Sequence, residues 1–83
     1  MATDHERERA WGAVHDAIGR MPSWAVGPCV YHADDALWHV AAIDLRSRGR
    51  YAKREAIPAT GATEIDALGA LVALLGARQT SGR

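Results

Sequence analysis

Residues 37–46 have the sequence LWHVAAIDLR, in which apolar residues occupy most positions. Because side chains alternate across a β-strand, this stretch predicts a strand with two apolar faces. One face carries Trp38, Val40 and Ala42, and the other carries Leu37, Ala41, Ile43 and Leu45. We expect helices to cover one of these faces as the core, and the sequence leaves open which one.

Turn signals lie on both sides of this strand, which is predicted to span Leu37 to Arg46. Before it, Asp34 and Asp35 can accept hydrogen bonds from backbone amides two residues further on. After it, Gly49 can adopt the positive φ of a tight turn. A third, more polar strand is then predicted from Arg50 to Ala59.

The segment from Ser23 to His32 is rich in residues that favour strands, but Gly27 and Pro28 interrupt it. Proline cannot donate to a strand ladder, so a strand that contains it belongs at the edge of a sheet. We therefore predict an edge strand with a bulge. The three strands together form an antiparallel meander.

A helix is predicted to begin at Thr3, because Thr3 and Glu6 have the spacing of a capping box. Apolar residues then recur at steps of three and four, which places them on one helix face. These residues are Trp11, Val14, Ile18 and Met21. Gly19 and Pro22 are expected to end the helix.

A second helix follows Gly61, where Thr63 and Asp66 repeat the same spacing. We expect it to run to about Ala77, with a core face of Ile65, Leu68, Leu71, Val72 and Leu75, and the tail 79–83 to be frayed. The sequence thus predicts a single α+β domain, ordered over about 3–78. Its three-stranded antiparallel sheet is covered by an N-terminal and a C-terminal helix, in the order α-β-β-β-α.

Composition indicates an ordinary globular chain. Of its 83 residues, 48% are hydrophobic and 24% are charged, and the formal net charge is zero, so no overall field attracts polyanions. Cys29 is the only cysteine, which excludes an intramolecular disulfide and favours a reducing compartment. With no signal peptide and no apolar run of membrane-spanning length, we predict a cytoplasmic protein without membrane contact. Arginine outnumbers lysine, which suggests a GC-rich bacterial or phage genome.

The element order resembles that of the double-stranded-RNA-binding domain. That family grips phosphates with lysines at the start of its second helix, whereas this chain has Thr63, Glu64 and Asp66 there, and carboxylates repel a phosphate backbone. Residues 61–68, GATEIDAL, also resemble the start of the last helix in HicB-type antitoxins, although that family has no leading helix. The resemblance to the double-stranded-RNA-binding domain implies the fold of that family and, through the fold, RNA binding.

A basic cluster spans the hairpin that the second and third predicted strands form. It consists of Arg46, Arg48, Arg50, Lys53 and Arg54, with Tyr51 among them. Arginine binds phosphate through paired hydrogen bonds and tyrosine can stack on a base, so this hairpin is a candidate nucleic-acid contact. The alternative is a solvated edge, since cations at sheet edges also prevent pairing with other chains.

No motif predicts catalysis or a cofactor. Cys29, His32 and His39 have the chemistry of zinc ligands, but alternation puts the first two on opposite faces and a fourth ligand is missing. We predict instead a buried thiol, an exposed histidine and, in His39, a histidine bonded to backbone beside the core. We expect no metal and no enzyme activity.

The leading hypothesis is a non-enzymatic interaction or regulatory module that binds another macromolecule, of which a protein is one option, and that associates with itself as a homodimer. The second predicted helix is apolar beyond its core face, and the central strand is apolar on both faces. The predicted interface comprises Trp38, Val40, Ala70, Leu74 and Ala77. The alternatives are nucleic-acid binding through the basic hairpin and, more remotely, a small-molecule or metal enzyme.

Overall fold

The computed structural model describes residues 3–45 and 55–81. In chain order the elements are α1 (Asp4–Gly19), β1 (Trp24–Val26), β2 (Val30–His32), β3 (Leu37–Asp44), β4 (Ala56–Gly61) and α2 (Glu64–Ser81). This arrangement confirms the predicted α+β class, in which an antiparallel sheet lies between an N-terminal and a C-terminal helix in the chain.

The sheet is built around β3. On one side β4 pairs with it antiparallel, and on the other side β1 and β2 both pair with it, end to end. The predicted first strand, Ser23 to His32, is therefore two short strands, and the sheet has four strands rather than three. The division falls at Gly27–Cys29, where Pro28 lacks an amide hydrogen for the ladder. Gly27 N still donates to Ala41 O at 3.0 Å.

Both helices begin with the caps that the sequence predicts. Glu6 N donates to Thr3 Oγ1 and Asp66 N donates to Thr63 Oγ1, each at 3.1 Å. These bonds satisfy amides that have no partner within the first helical turn. The helix α1 ends at Gly19 as expected, whereas the backbone of α2 continues to Ser81, beyond the predicted end near Ala77.

The core lies between the two helices and one face of the sheet. Its buried members are Val14, Ala17, Met21, Val40, Ala42, Ala59, Ala67, Leu68, Leu71 and Leu75. Val40 and Ala42 are on the same face of β3, so the helices cover that face. The face that carries Leu37, His39, Ala41 and Ile43 is covered by neither described helix, and we call it the open face.

This assignment corrects part of the predicted interface. Val40 is 3% exposed and Trp38 packs against the core, so the interior of the monomer already uses both side chains. Ala70 is also partly buried against the core, whereas Leu74 is 44% exposed and Ala77 is exposed. The alternation of side chains in the sequence predicts two apolar faces on β3, but the packing of the whole domain determines which face the helices cover.

Within the described residues, no helix has the length and apolar character needed to cross a bilayer.

A candidate interaction surface on the open face of the sheet

The open face is mainly apolar and spans all four strands. Cross-strand partners share a face, which adds residues of β1, β2 and β4 to those of β3. The residues concerned are Ala25, Val30, His32, Leu37, His39, Ala41, Ile43, Ala56, Pro58 and Thr60. A shallow groove of 340 Å³ runs across this face between Val30, Ala41 and Pro58. Its lining is suited to contact with another apolar surface.

The strand edges on either side of this face are poor sites for pairing. Ala41 O accepts a hydrogen bond from Gly27 N, so the backbone groups of Ala41 point towards β1 and not towards β4. Pro58 is the residue opposite Ala41 on β4, and its own backbone groups therefore point away from β3. Proline thus removes an amide hydrogen from the outer edge of β4. The opposite edge is interrupted between β1 and β2, where Pro28 lies. Prolines and interruptions of this kind discourage edge-to-edge association.

Two histidines from neighbouring strands stack at the end of the groove. The ring centroids of His32 and His39 are 4.0 Å apart and the ring planes meet at 22°. His39 Nε2 lies 2.8 Å from Asp35 Oδ2, and Asp35 Oδ1 accepts from Leu37 N at 3.0 Å. The second bond is the predicted turn contact to an amide two residues on. The turn closes with Ala36 at φ 56°, in the left-handed region.

The ionisation of Asp35 follows from these contacts. Partial loss of solvent opposes the charged form, but hydrogen bonds from His39 and from the Leu37 amide outweigh it, so the pKa of Asp35 lies below its usual range. The charge of a protonated His32 acts in the same direction. Asp35 is therefore a carboxylate at neutral pH and is the one acid bonded to this histidine pair among the described residues.

The predicted roles of Cys29, His32 and His39 are partly corrected. His39 bonds a carboxylate rather than backbone, and His32 lies against it. Cys29 is in the break between β1 and β2 and packs against the core on the other side. Its burial raises the pKa of the thiol, and the charge of Glu64 adds to that effect. The described residues contain no group of three side chains placed to hold a metal ion.

Glu64 joins the two helices. Its carboxylate accepts from Arg7 Nε at 2.7 Å and from Trp11 Nε1 at 3.2 Å, and its side chain is 16% exposed. The bond from Arg7 lowers the pKa of Glu64, partial burial opposes the shift, and Trp11 supports it. The acid at the start of α2, where the RNA-binding family has lysine, thus holds α1 and α2 together.

The predicted nucleic-acid residues 46–54 lie outside the described residues, but their flanking strands are described. Ile43 pairs with Ala56, and Asp44 N donates to Glu55 O at 2.9 Å, so the basic segment connects two directly paired strands as predicted. Glu55 also forms an ion pair with Arg78, whose guanidinium lies 5.1 Å from the Trp24 ring centroid. These contacts fix the end of α2 beside the sheet end from which the basic segment leaves.

The helices also leave some apolar surface uncovered. Leu74 is 44% exposed, and its exposed neighbours on the same side of α2 are the small Ala73 and Ala77. A groove of 470 Å³ lies between the helices, but Glu6 and Arg9 contribute charged side chains to its lining. The groove on the open face, in contrast, has no Asp, Glu, Lys or Arg among the described residues that line it.

Comparison with known proteins found no match, whether among family models, curated proteins or solved structures.

Proposed function

We propose that this protein is a non-enzymatic interaction module that pairs with a second copy of itself through the open face of its sheet. The observation that supports this proposal is the apolar groove between Val30, Ala41 and Pro58, on a face that neither described helix covers. Apolar surface of this kind is stabilised by removal from water.

A second copy suits the open face for two reasons. An isologous contact needs one self-complementary surface, and this face carries both an acid, Asp35, and the His32–His39 pair beside its apolar centre. The edges, in contrast, are unsuited to adding a strand, because Pro58 faces outward and the break at Pro28 interrupts the other edge. Two copies can still associate by packing their open faces against each other.

The size of the face sets the strength that we expect. β3 has 8 residues, which corresponds to about 26 Å at about 3.3 Å per residue. Three strand positions at about 4.8 Å give a width of about 14 Å, and hence a footprint of about 370 Å² per copy. Two copies would bury about 740 Å² in total, which is below the roughly 1,200 Å² of stable interfaces, so the proposed dimer should be weak and transient and should form only as the concentration rises.

Sedimentation equilibrium at tens to hundreds of micromolar tests the proposal. Wild type should rise from a mass near 8.9 kDa towards twice that value. Ala41→Arg, at the centre of the groove, should stay monomeric, whereas the matched Leu74→Arg on α2 should dimerise like wild type. Circular dichroism and thermal unfolding check that both variants fold.

Two results would contradict this proposal. A wild-type mass near 8.9 kDa throughout the concentration range would exclude self-association. A dimer that is disrupted by Leu74→Arg but not by Ala41→Arg would place the contact on α2. That helix carries Leu74 and other residues of the interface that the sequence predicts.

Nucleic-acid binding through residues 46–54 is the second candidate. It is supported by the pairing of β3 with β4, which brings the two ends of this segment together and so confines five cations to one connection. A triple change of Arg46, Arg48 and Arg50 to Ala should weaken binding to short RNA and DNA and reduce its salt dependence. Equal, weak binding by wild type and the triple variant, measured by fluorescence anisotropy, would remove this candidate.

A further inference from the structure

We infer that two paired open faces bind one zinc ion, which is held by His32 and His39 of both copies. This inference rests on the proposed function, because the metal site is complete only when the second copy is present. Both histidines line the groove that the proposed contact would bury. Imidazole nitrogen is a common zinc ligand, and zinc that stabilises a structure almost always has four ligands.

Asp35 orients His39 as a metal ligand. A carboxylate can only accept a hydrogen bond, so the 2.8 Å contact with Asp35 Oδ2 places the proton of a neutral His39 on Nε2. The other ring nitrogen, Nδ1, then has the lone pair that binds a metal. Metal-binding histidines are commonly oriented by a carboxylate that bonds the nitrogen away from the metal. The turn holds Asp35 in place, because its Oδ1 accepts from Leu37 N.

His32 is close enough to His39 to share one ion with it. The ring centroids are 4.0 Å apart and the ring planes meet at 22°. Two nitrogens bound to one tetrahedral zinc ion lie about 3.3 Å apart, given Zn–N distances of about 2.0 Å. A small rotation of the exposed His32 ring therefore brings one nitrogen of each ring to the same ion.

A second copy supplies the ligands that one copy lacks. Within one copy, the described residues contain no group of three side chains placed to hold a metal, and Cys29 packs against the core instead. An isologous contact brings the same histidine pair from each copy to the two-fold axis, which makes four imidazoles. An axis beside His39 also keeps Ala41 in the contact, since these residues are about 6.6 Å apart along β3.

Charge also favours a divalent cation at this place. With both rings neutral, the trio Asp35, His32 and His39 has a formal charge of −1, so two trios brought together repel each other. One Zn²⁺ balances the two carboxylates, and the exposed Asp34 of the same turn adds to the attraction for a cation. Neither β1 nor β4 contains an ionisable side chain that could supply the positive charge instead.

Sedimentation equilibrium of the untagged protein, in EDTA and in zinc chloride, tests this inference. The pH is about 8, because zinc binds neutral imidazole. Three proteins are compared: wild type, His32→Gln/His39→Gln, and the matched His5→Gln/His15→Gln, whose positions are exposed on α1. All three retain Cys29, so binding to the thiol would be common to them. Circular dichroism checks that the variants fold, and equilibrium dialysis measures the zinc bound per chain.

The expected result is a dimer that zinc tightens through the sheet histidines. Zinc should lower the dimer dissociation constant of wild type and of the α1 variant by about tenfold or more, and that of His32→Gln/His39→Gln by less than about twofold. Wild type should bind one zinc ion per two chains.

Three results would overturn this inference and leave the proposed dimer intact. They are a wild-type dimer that zinc does not tighten, a zinc effect that persists in His32→Gln/His39→Gln or is lost in His5→Gln/His15→Gln, and binding of one ion per chain. A wild-type protein that is monomeric both in EDTA and in zinc would instead contradict the proposed function, and this inference with it.

Discussion

Glu64 links the two helices through side-chain hydrogen bonds. It is the first residue of α2, it is 16% exposed, and it accepts hydrogen bonds from Arg7 and Trp11 of α1. A carboxylate here also lies at the positive end of the α2 dipole. The residue thus combines helix stabilisation with a contact between elements that are distant in sequence.

Replacing Glu64 by Gln should lower the free energy of unfolding at neutral pH by about 1 kcal/mol, since Arg7 is half exposed and solvent screens the pair. The pKa of Glu64 is lowered on folding, so this stabilisation is complete above its ordinary pKa of 4.5 and is lost as the pH falls through the lower, folded value. Urea unfolding of wild type and Glu64→Gln should therefore give midpoints that converge in acid.

The exposed Glu8→Gln on α1 is the matched control, and its midpoint should stay close to wild type at each pH. If the gap between wild type and Glu64→Gln stayed constant below the ordinary pKa of glutamate, ionisation of Glu64 would not be its source.

For single residues, hydrogen bonds between close neighbours in the sequence could be predicted, whereas contacts between side chains of different strands could not. The caps at Thr3 and Thr63 and the turn bond of Asp35 depend on residues two or three positions apart, so spacing alone identifies them. The contact of Asp35 with His39 also has a short spacing, but it requires a turn whose strands are in register. The only sequence signal for it was an acid four residues before a histidine across a predicted turn.

Among the elements, α2 depends on its first turn. Replacing Thr63 by Ala removes the acceptor for Asp66 N and should destabilise the protein by about 1 kcal/mol. The comparison is Thr60→Ala, an exposed position on β4, which should change stability by no more than a few tenths of a kcal/mol. Chemical denaturation measures both, and equal midpoints for the two variants would show that the cap contributes nothing.

The junction between β4 and α2 requires a glycine because the strand passes very close to the helix. A Cβ on Gly61 would lie 2.7 Å from the backbone carbonyl carbon of Asp66, closer than unstrained packing allows. Gly61→Ala should therefore destabilise the protein by about 1 to 3 kcal/mol.

Gly69→Ala is the control for this prediction, because nothing lies within 4 Å of its added methyl group and alanine favours a helix. It should be neutral or stabilising by up to about 1 kcal/mol. Thermal unfolding of both variants decides the matter: a Gly61→Ala protein as stable as wild type would mean that β4 and α2 are further apart.

For the whole molecule, a layer of leucines on α2 supplies most of the largest fully buried side chains among the described residues. Leu68, Leu71 and Leu75 are fully buried against the sheet and α1. Leu71→Ala should cost about 2 to 5 kcal/mol through lost burial and the cavity that remains. Leu74→Ala, on the exposed side of the same helix, should cost much less, and similar unfolding midpoints for these two variants would show that α2 is rotated about its axis.

The sequence predicted this architecture well where periodicity decides it, as in the leucine layer and the order of helices and strands. It did not decide which face of β3 is covered, because Trp38 and Val40 are as apolar as Ala41 and Ile43. That choice depends on how two helices and four strands fit together as a whole. For the same reason the predicted interface included Val40, which is in the core, and Trp38, which packs against it.

The outward-facing Pro58 and the break at Pro28 would also limit the stoichiometry of the proposed assembly. A sheet that can gain strands at its rims grows without a defined end, as fibrils do. Here both rims discourage addition, and the open face is consumed once it is paired. If two copies pair through that face as proposed, association should stop there, and a rise in concentration should fill a dimer population rather than extend a polymer.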